Sequence, residues 1–142
     1  MPESDLDVAT LLAAAAPAPS LGVFNAAGAT IFRGPVRPAS NVVPHAAVFV
    51  LATGGPPPQP YFRVGAGSAS FYQVNVQVRV RSEPEKFGAG QTKALQVRDK
   101  LHLATIAGYV ACKVLNSEPL YLGKDDTEHD EWSVNATLWF KQ

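Results

Sequence analysis

Two stretches of the chain alternate apolar and polar residues with a period of two, the pattern of a strand that buries one face. In residues 72–81, Val74, Val76, Val78 and Val80 fall on one side and Gln73, Asn75, Gln77, Arg79 and Arg81 on the other. In residues 132–140, Trp132, Val134, Ala136, Leu138 and Phe140 alternate with Ser133, Asn135, Thr137 and Trp139. Each strand therefore offers a second face to water or to a partner. Trp139 on that polar face fits an interface aromatic or one exposed tryptophan that the fold tolerates. Residues 45–52, with Val48, Phe49, Val50 and Leu51 in succession, read as a buried strand. Shorter strands are predicted at 29–33, 110–116 and 120–122, the last two separated by Pro119.

A period near 3.6 appears twice. Leu6, Val8, Leu11, Leu12 and Ala15 form one stripe, so residues 5–15 read as a short helix. Ser4 is its predicted N-cap, Asp5 and Asp7 suit its positive end, and Pro17 and Pro19 stop it. Ala94, Val97, Leu101 and Ala104 predict a longer helix over 88–106, with Gly108 beyond its end. That helix is close in length to the strand before it and can lie along the sheet over the valine face. Residues 53–70, rich in glycine and proline, read as a long loop in which prolines favour extended backbone and glycines add hinges. The fold class is α+β: a single domain, mostly antiparallel sheet, one long helix on one face and a short N-terminal helix.

Composition sharpens this picture in one respect. The 142 residues are 46% hydrophobic but only 17% charged, below the quarter usual for a soluble domain. Such a surface suits a chain whose neighbours cover part of it. Twelve basic and twelve acidic residues balance overall, so no net field favours nucleic acid or an anionic membrane. The charges are segregated, however. Residues 8–82 hold Arg33, Arg37, Arg63, Arg79 and Arg81 with no acid, whereas residues 115–142 hold six acids against Lys124 and Lys141. Segregation permits head-to-tail pairing between copies, or neutralisation of one segment by the other within the fold. No run approaches the ~20 apolar residues that span a bilayer, and the acidic start is unlike a signal peptide.

The search for chemistry is short. His45, His102 and His129 lack metal-ligand spacing with one another or with Cys112. Cys112, the single cysteine, sits among Val110, Ala111 and Val114 and reads as a buried thiol. Asp99 and His102 stand three apart on the predicted helix, but nothing supplies a nucleophile or oxyanion site beside them. The acidic run 125–131, with Asp125, Asp126 and Glu128, lacks the glycine and spacing of a calcium loop. It reads as a solvated turn, a contact with another chain or, least of all, a metal site. Gly65, Gly67 and Ser68 make no phosphate loop, and Arg79 with Arg81, lacking aromatic partners on their strand face, make a weak nucleic-acid signal. No enzyme, cofactor or metal is expected.

The order of elements resembles the tail terminators and minor capsid (neck) proteins of tailed phages. An amphipathic helix (5–16) precedes Phe32-Arg33-Gly34-Pro35, then the strand 48–52 enters the turn Thr53-Gly54-Gly55-Pro56-Pro57. The alternating strand 72–81 with its following helix, and Leu122-Gly123-Lys124-Asp125-Asp126 leading to Trp132-Ser133-Val134, complete the likeness over residues 5–140. The resemblance implies a virion protein assembled in the host cytoplasm: a ring, commonly hexameric, between the tail tube protein and the head connector or stopper, with double-stranded DNA passing through the lumen. Another neck component is the nearest alternative; a small ligand-binding or hydrolytic domain, or a host adaptor, lies further off. In this picture Gln77, Arg79, Arg81, Asp125, Asp126, Glu128 and Trp139 are candidate inter-subunit or lumen residues. Gly54, Gly55, Pro56, Pro57, Tyr61, Phe62 and Arg63 form a candidate docking loop.

Overall fold

The computed structural model describes residues 3–34, 44–63 and 67–142. The chain runs α1 (Ser4–Ala13), β1 (Ile31–Arg33), β2 (Ala47–Gly54), β3 (Gln59–Arg63), β4 (Gly67–Arg81), α2 (Phe87–Leu101), β5 (Ala111–Val114), β6 (Leu120–Lys124) and β7 (Asp130–Lys141). The strands form one sheet in the order β1-β2-β4-β7-β5, with β3 also on β4 and β6 also on β7. Among the named strands β1 and β2 pair in parallel and the other pairs are antiparallel; Phe24 adds a parallel bridge to Ile31. The α+β class read from the sequence holds.

The two alternating strands are the centre of the sheet, paired from Phe71↔Lys141 to Arg81↔Glu131. Val76, Val78 and Val80 of β4, Val48 and Val50 of β2, and Trp132, Val134, Ala136 and Leu138 of β7 are buried together with Val8 and Leu12 of α1 and Ala94, Val97 and Leu101 of α2. Both helices therefore cover one face, and each fully buried aliphatic side chain contributes about 1.5–3 kcal/mol relative to exposure.

Several boundaries differ from the sequence reading. Glu3 rather than Ser4 is the residue before α1, and no side chain caps it. The far end of α1 is completed by a residue of α2: Lys100 Nζ donates to Ala14 O at 2.5 Å and Pro19 O at 2.7 Å, with Leu12 O at 3.5 Å. Burial lowers the Lys100 pKa. Helix α2 stops at Leu101, five residues early, because the next residues bond to β5. Leu103 N donates to Cys112 O at 3.0 Å, and His102 Nδ1 accepts from Val114 N at 3.3 Å. Tertiary pairing here overrides a continuing helical period.

The largest correction concerns 53–70. Strand β2 reaches Gly54, β3 pairs Gln59↔Phe71 through Arg63↔Gly67, and β4 begins at Gly67. The predicted loop is thus a bend followed by two paired strands; residues 64–66, with Gly65, lie outside the described residues. Weak local preference yields to the ladder that β4 offers, and Pro60 is tolerated because β3 is an edge strand. Pro35, Arg37 and Pro38 also lie outside the described residues.

Candidate assembly surfaces

The face of the sheet opposite the helices carries the polar half of both alternating strands. Gln77 Nε2 donates to Ser133 Oγ at 3.1 Å, and Thr137 Oγ1 donates to Asn75 Oδ1 at 3.0 Å. These bonds satisfy Ser133 and Thr137, which are buried on a face where the pattern predicted contact with water or a partner. Trp139 is half-buried between Gln73 and Ala111, its partners on β4 and β5.

Arg79 and Arg81 do have an aromatic neighbour, contrary to the sequence reading. Phe49 of β2 lies opposite Arg79, and both guanidinium groups stand over its ring at 5.4 and 5.5 Å. Phe32 stacks on Phe49 at 5.8 Å. Phe49 projects from the face opposite Val48 and Val50, a periodicity hidden by the unbroken apolar run of β2. Arg79 Nε also faces Glu131 at 3.9 Å, so the basic and acidic segments meet within one chain. Arg81 is committed internally, donating to Pro44 O at 2.6 Å and His45 O at 3.0 Å.

That clasp leads to the acidic turn. Only residues 125–129 form the turn, since Lys124 closes β6 and Asp130 and Glu131 open β7. Asp125 Oδ1 accepts from Thr127 N, Thr127 Oγ1 and His129 N, each at 2.9 Å. His129 Nδ1 lies 3.1 Å from the same carboxylate, and its Nε2 lies 2.9 Å from His45 Nδ1. The two imidazole rings also stack, with centroids 5.1 Å apart. Asp125 therefore holds its own turn, while Asp126 and Glu128 remain exposed. The His45–His129 contact joins residues 84 apart, and nothing in the sequence signals it.

Burial opposes the Asp125 charge, but the hydrogen bonds from His129 and Thr127 outweigh it and lower the carboxyl pKa to about 2. A lowered folded pKa gives stability that is complete above about pH 5 and is lost as pH falls toward the folded value. Asp125→Asn should cost on the order of 1–2 kcal/mol at neutral pH. In thermal melts over a pH series, the gap from the parent should close as the pH is lowered toward that of the protonated carboxyl. A gap independent of pH would show that the charge does not support the turn.

The β3–β4 hairpin lies at the other end of the sheet. Gly54 and the exposed Gly55, Pro56 and Pro57 make the bend, and Tyr61, Phe62 and Arg63 lie along β3. The structure thus divides the candidate residues three ways. Gln77, Arg79, Arg81 and Trp139 share a face, Asp125, Asp126 and Glu128 mark one end, and the hairpin marks the other.

Asp99, Lys100 and His102 line a groove of about 350 Å³ beside Pro17 and Pro19. Asp99 is spent on Arg98, with contacts of 2.7 and 2.9 Å, and His102 Nδ1 is bonded to β5. Cys112 is buried, and burial raises its thiol pKa to about 11. A groove of about 340 Å³ between β2 and α2 is lined by Leu21, Ala47, Val48, Ala89 and Gly90 with Arg81, Glu83, Lys86 and Lys93. No histidine or cysteine lines it.

A family model described as bacteriophage tail terminator protein matches residues 20–141. The chain belongs to this tail terminator family. It is therefore a structural protein of the phage tail and a component of the virion. A solved structure titled virion of native gene transfer agent (GTA) particle contains a similar chain, with a TM-score of 0.60 at 14% identity. The match covers 97% of this terminator-family chain and 94% of the other, and at that identity it speaks for the fold alone. No curated protein matches.

Proposed function

We propose that copies of this chain form a ring that caps the finished tail tube and joins it to the head connector, with DNA passing through the lumen. The observation that carries this reading is the family match over residues 20–141. The architecture suits it: one broad sheet face left open by the helices, and a hairpin extending past the end of β7. Gln77, Arg79, Arg81 and Trp139 are the proposed inter-subunit or lumen residues, with Asp126 and Glu128 as an acidic contact at one rim. The β3–β4 hairpin is the proposed docking element at the other rim. Hydrogen-bonding groups of an extended ladder are well suited to contact with a tube end or a connector.

Deletion of residues 56–68 leaves the central β4–β7 pairing from Phe71 onward intact. The shortened chain should fold, by circular dichroism, yet leave separate heads and tails in negatively stained lysates. Joined particles at the parental yield would remove the hairpin from tail joining. If loss of the whole chain left joining and tail length unchanged, the capping role itself would fall.

A further inference from the structure

Besides the outer side of β3, two strand edges lack a backbone partner among the described residues. On one side of the sheet, β1 pairs with β2 only from Ile31↔Val48 to Arg33↔Val50, which leaves 51–54 open. On the other side, β6 pairs with β7 and with nothing beyond it. Neighbouring edges are occupied: Cys112 O and Val114 N of β5 bond to Leu103 and His102, and Ile31 of β1 bridges Phe24. Both open edges are exposed and apolar. Leu51 is 37% exposed, and Leu120, Tyr121 and Leu122 of β6 are 55, 45 and 45% exposed. A bare apolar edge is a template for another strand, and β6 has neither a proline nor a covering element to prevent it.

The topology fixes how such a strand would arrive. β2 and β6 face opposite sides of the sheet, so the contact is head-to-tail and repeats with every copy added. β2 runs antiparallel to β4, and β4 and β6 both run antiparallel to β7; β6 is therefore antiparallel to β2. Rotation about an axis roughly along the strands preserves this relation between one copy and the next.

The two edges lie at different heights, and the difference sets the tilt of the strands to the rotation axis. Leu51, Ala52 and Gly54 lie level with Asn135, Ala136 and Thr137 of β7, by way of Gln77, Val76 and Asn75. Strand β6 lies level with Asp130 to Ser133. The offset is about 4–5 residues, or ~15 Å along the strands, across four strand spacings of ~4.8 Å. The resulting tilt is about 38°, within the ~35–45° at which sheets close into barrels.

We infer that residues 51–54 of one copy pair antiparallel with β6 of the next. The ring is then closed by a continuous sheet to which each copy gives β2, β4, β7 and β6. This inference rests on the ring reading above and names the contact that closes it.

Thr53 is exposed on the open end of β2, and Leu122 is exposed on β6. In particles carrying Thr53→Cys with Leu122→Cys, a short bis-maleimide should produce a ladder of covalent multimers up to the full ring. Each single variant should produce none, since Cys112 is buried and its thiol is poorly ionised. Rings visible by microscopy without a ladder would overturn the edge pairing and leave the ring standing. Covalent dimers from Leu122→Cys alone would overturn it in favour of a two-fold contact between β6 strands. Absence of any ring in parental particles would overturn both readings.

Discussion

Replacing Trp132 with alanine should lower the stability of the terminator by about 3–5 kcal/mol, the largest single effect expected in this chain. Trp132 is 2% exposed at the start of β7. Its ring lies 5.1 Å from that of Phe87 at the start of α2 and 5.5 Å from that of Tyr121 on β6. Truncation removes the filling between a helix end and two strands, which have no smaller group to collapse inward. Gly90 belongs to the same contact: a Cβ there would overlap the Trp132 ring and stand 2.6 Å from Ser82 Cβ. Gly90→Ala should therefore cost about 1–3 kcal/mol in the parent. The cost should be smaller beside Trp132→Ala, with a remainder from Ser82. A denaturant double-mutant cycle reads this coupling directly. Additive costs would mean that the glycine is not required by the tryptophan.

Gly55→Ala should act on both fold and assembly. A Cβ at Gly55 would overlap the carbonyl oxygen of Gln73, a backbone atom within β4 that cannot swing aside. The bend between β2 and β3 must then open, at a cost of about 1–3 kcal/mol, and the hairpin must change direction. Under the proposed function this single methyl group should reduce head–tail joining nearly as much as deletion of the hairpin. Counting joined particles alongside a denaturation curve tests both parts. Parental joining together with the expected loss of stability would separate the bend from docking.

The centre of the fold was legible because two strands obey a strict period of two and one helix keeps the spacing of Ala94, Val97 and Leu101. Those residues are buried as the pattern requires, from Val76 to Val80 and from Trp132 to Leu138. What the sequence concealed lay in contacts between distant segments. Phe49 was hidden in a run apolar on both faces, so its position under Arg79 and Arg81 emerged only from the register of β2 on β4. The end of α2 was set by β5, and the hairpin by pairing with β4, in both cases against local preference. The acidic run reads from sequence as a solvated turn, but the turn is shorter, and Asp125 points inward to accept three hydrogen bonds. The exposed leucines of β6 gave no advance signal, since a three-residue apolar strand reads the same buried or bare.

The ammonium group of Lys100 carries one further implication, for synthesis on the ribosome. It supplies a donor to the carbonyl group of Ala14, just past the end of α1, so a helix translated early is finished by one translated much later. A nascent chain from which Lys100 has not yet emerged lacks this clamp. The opening helix therefore settles late, after most of the sheet that it covers has been made.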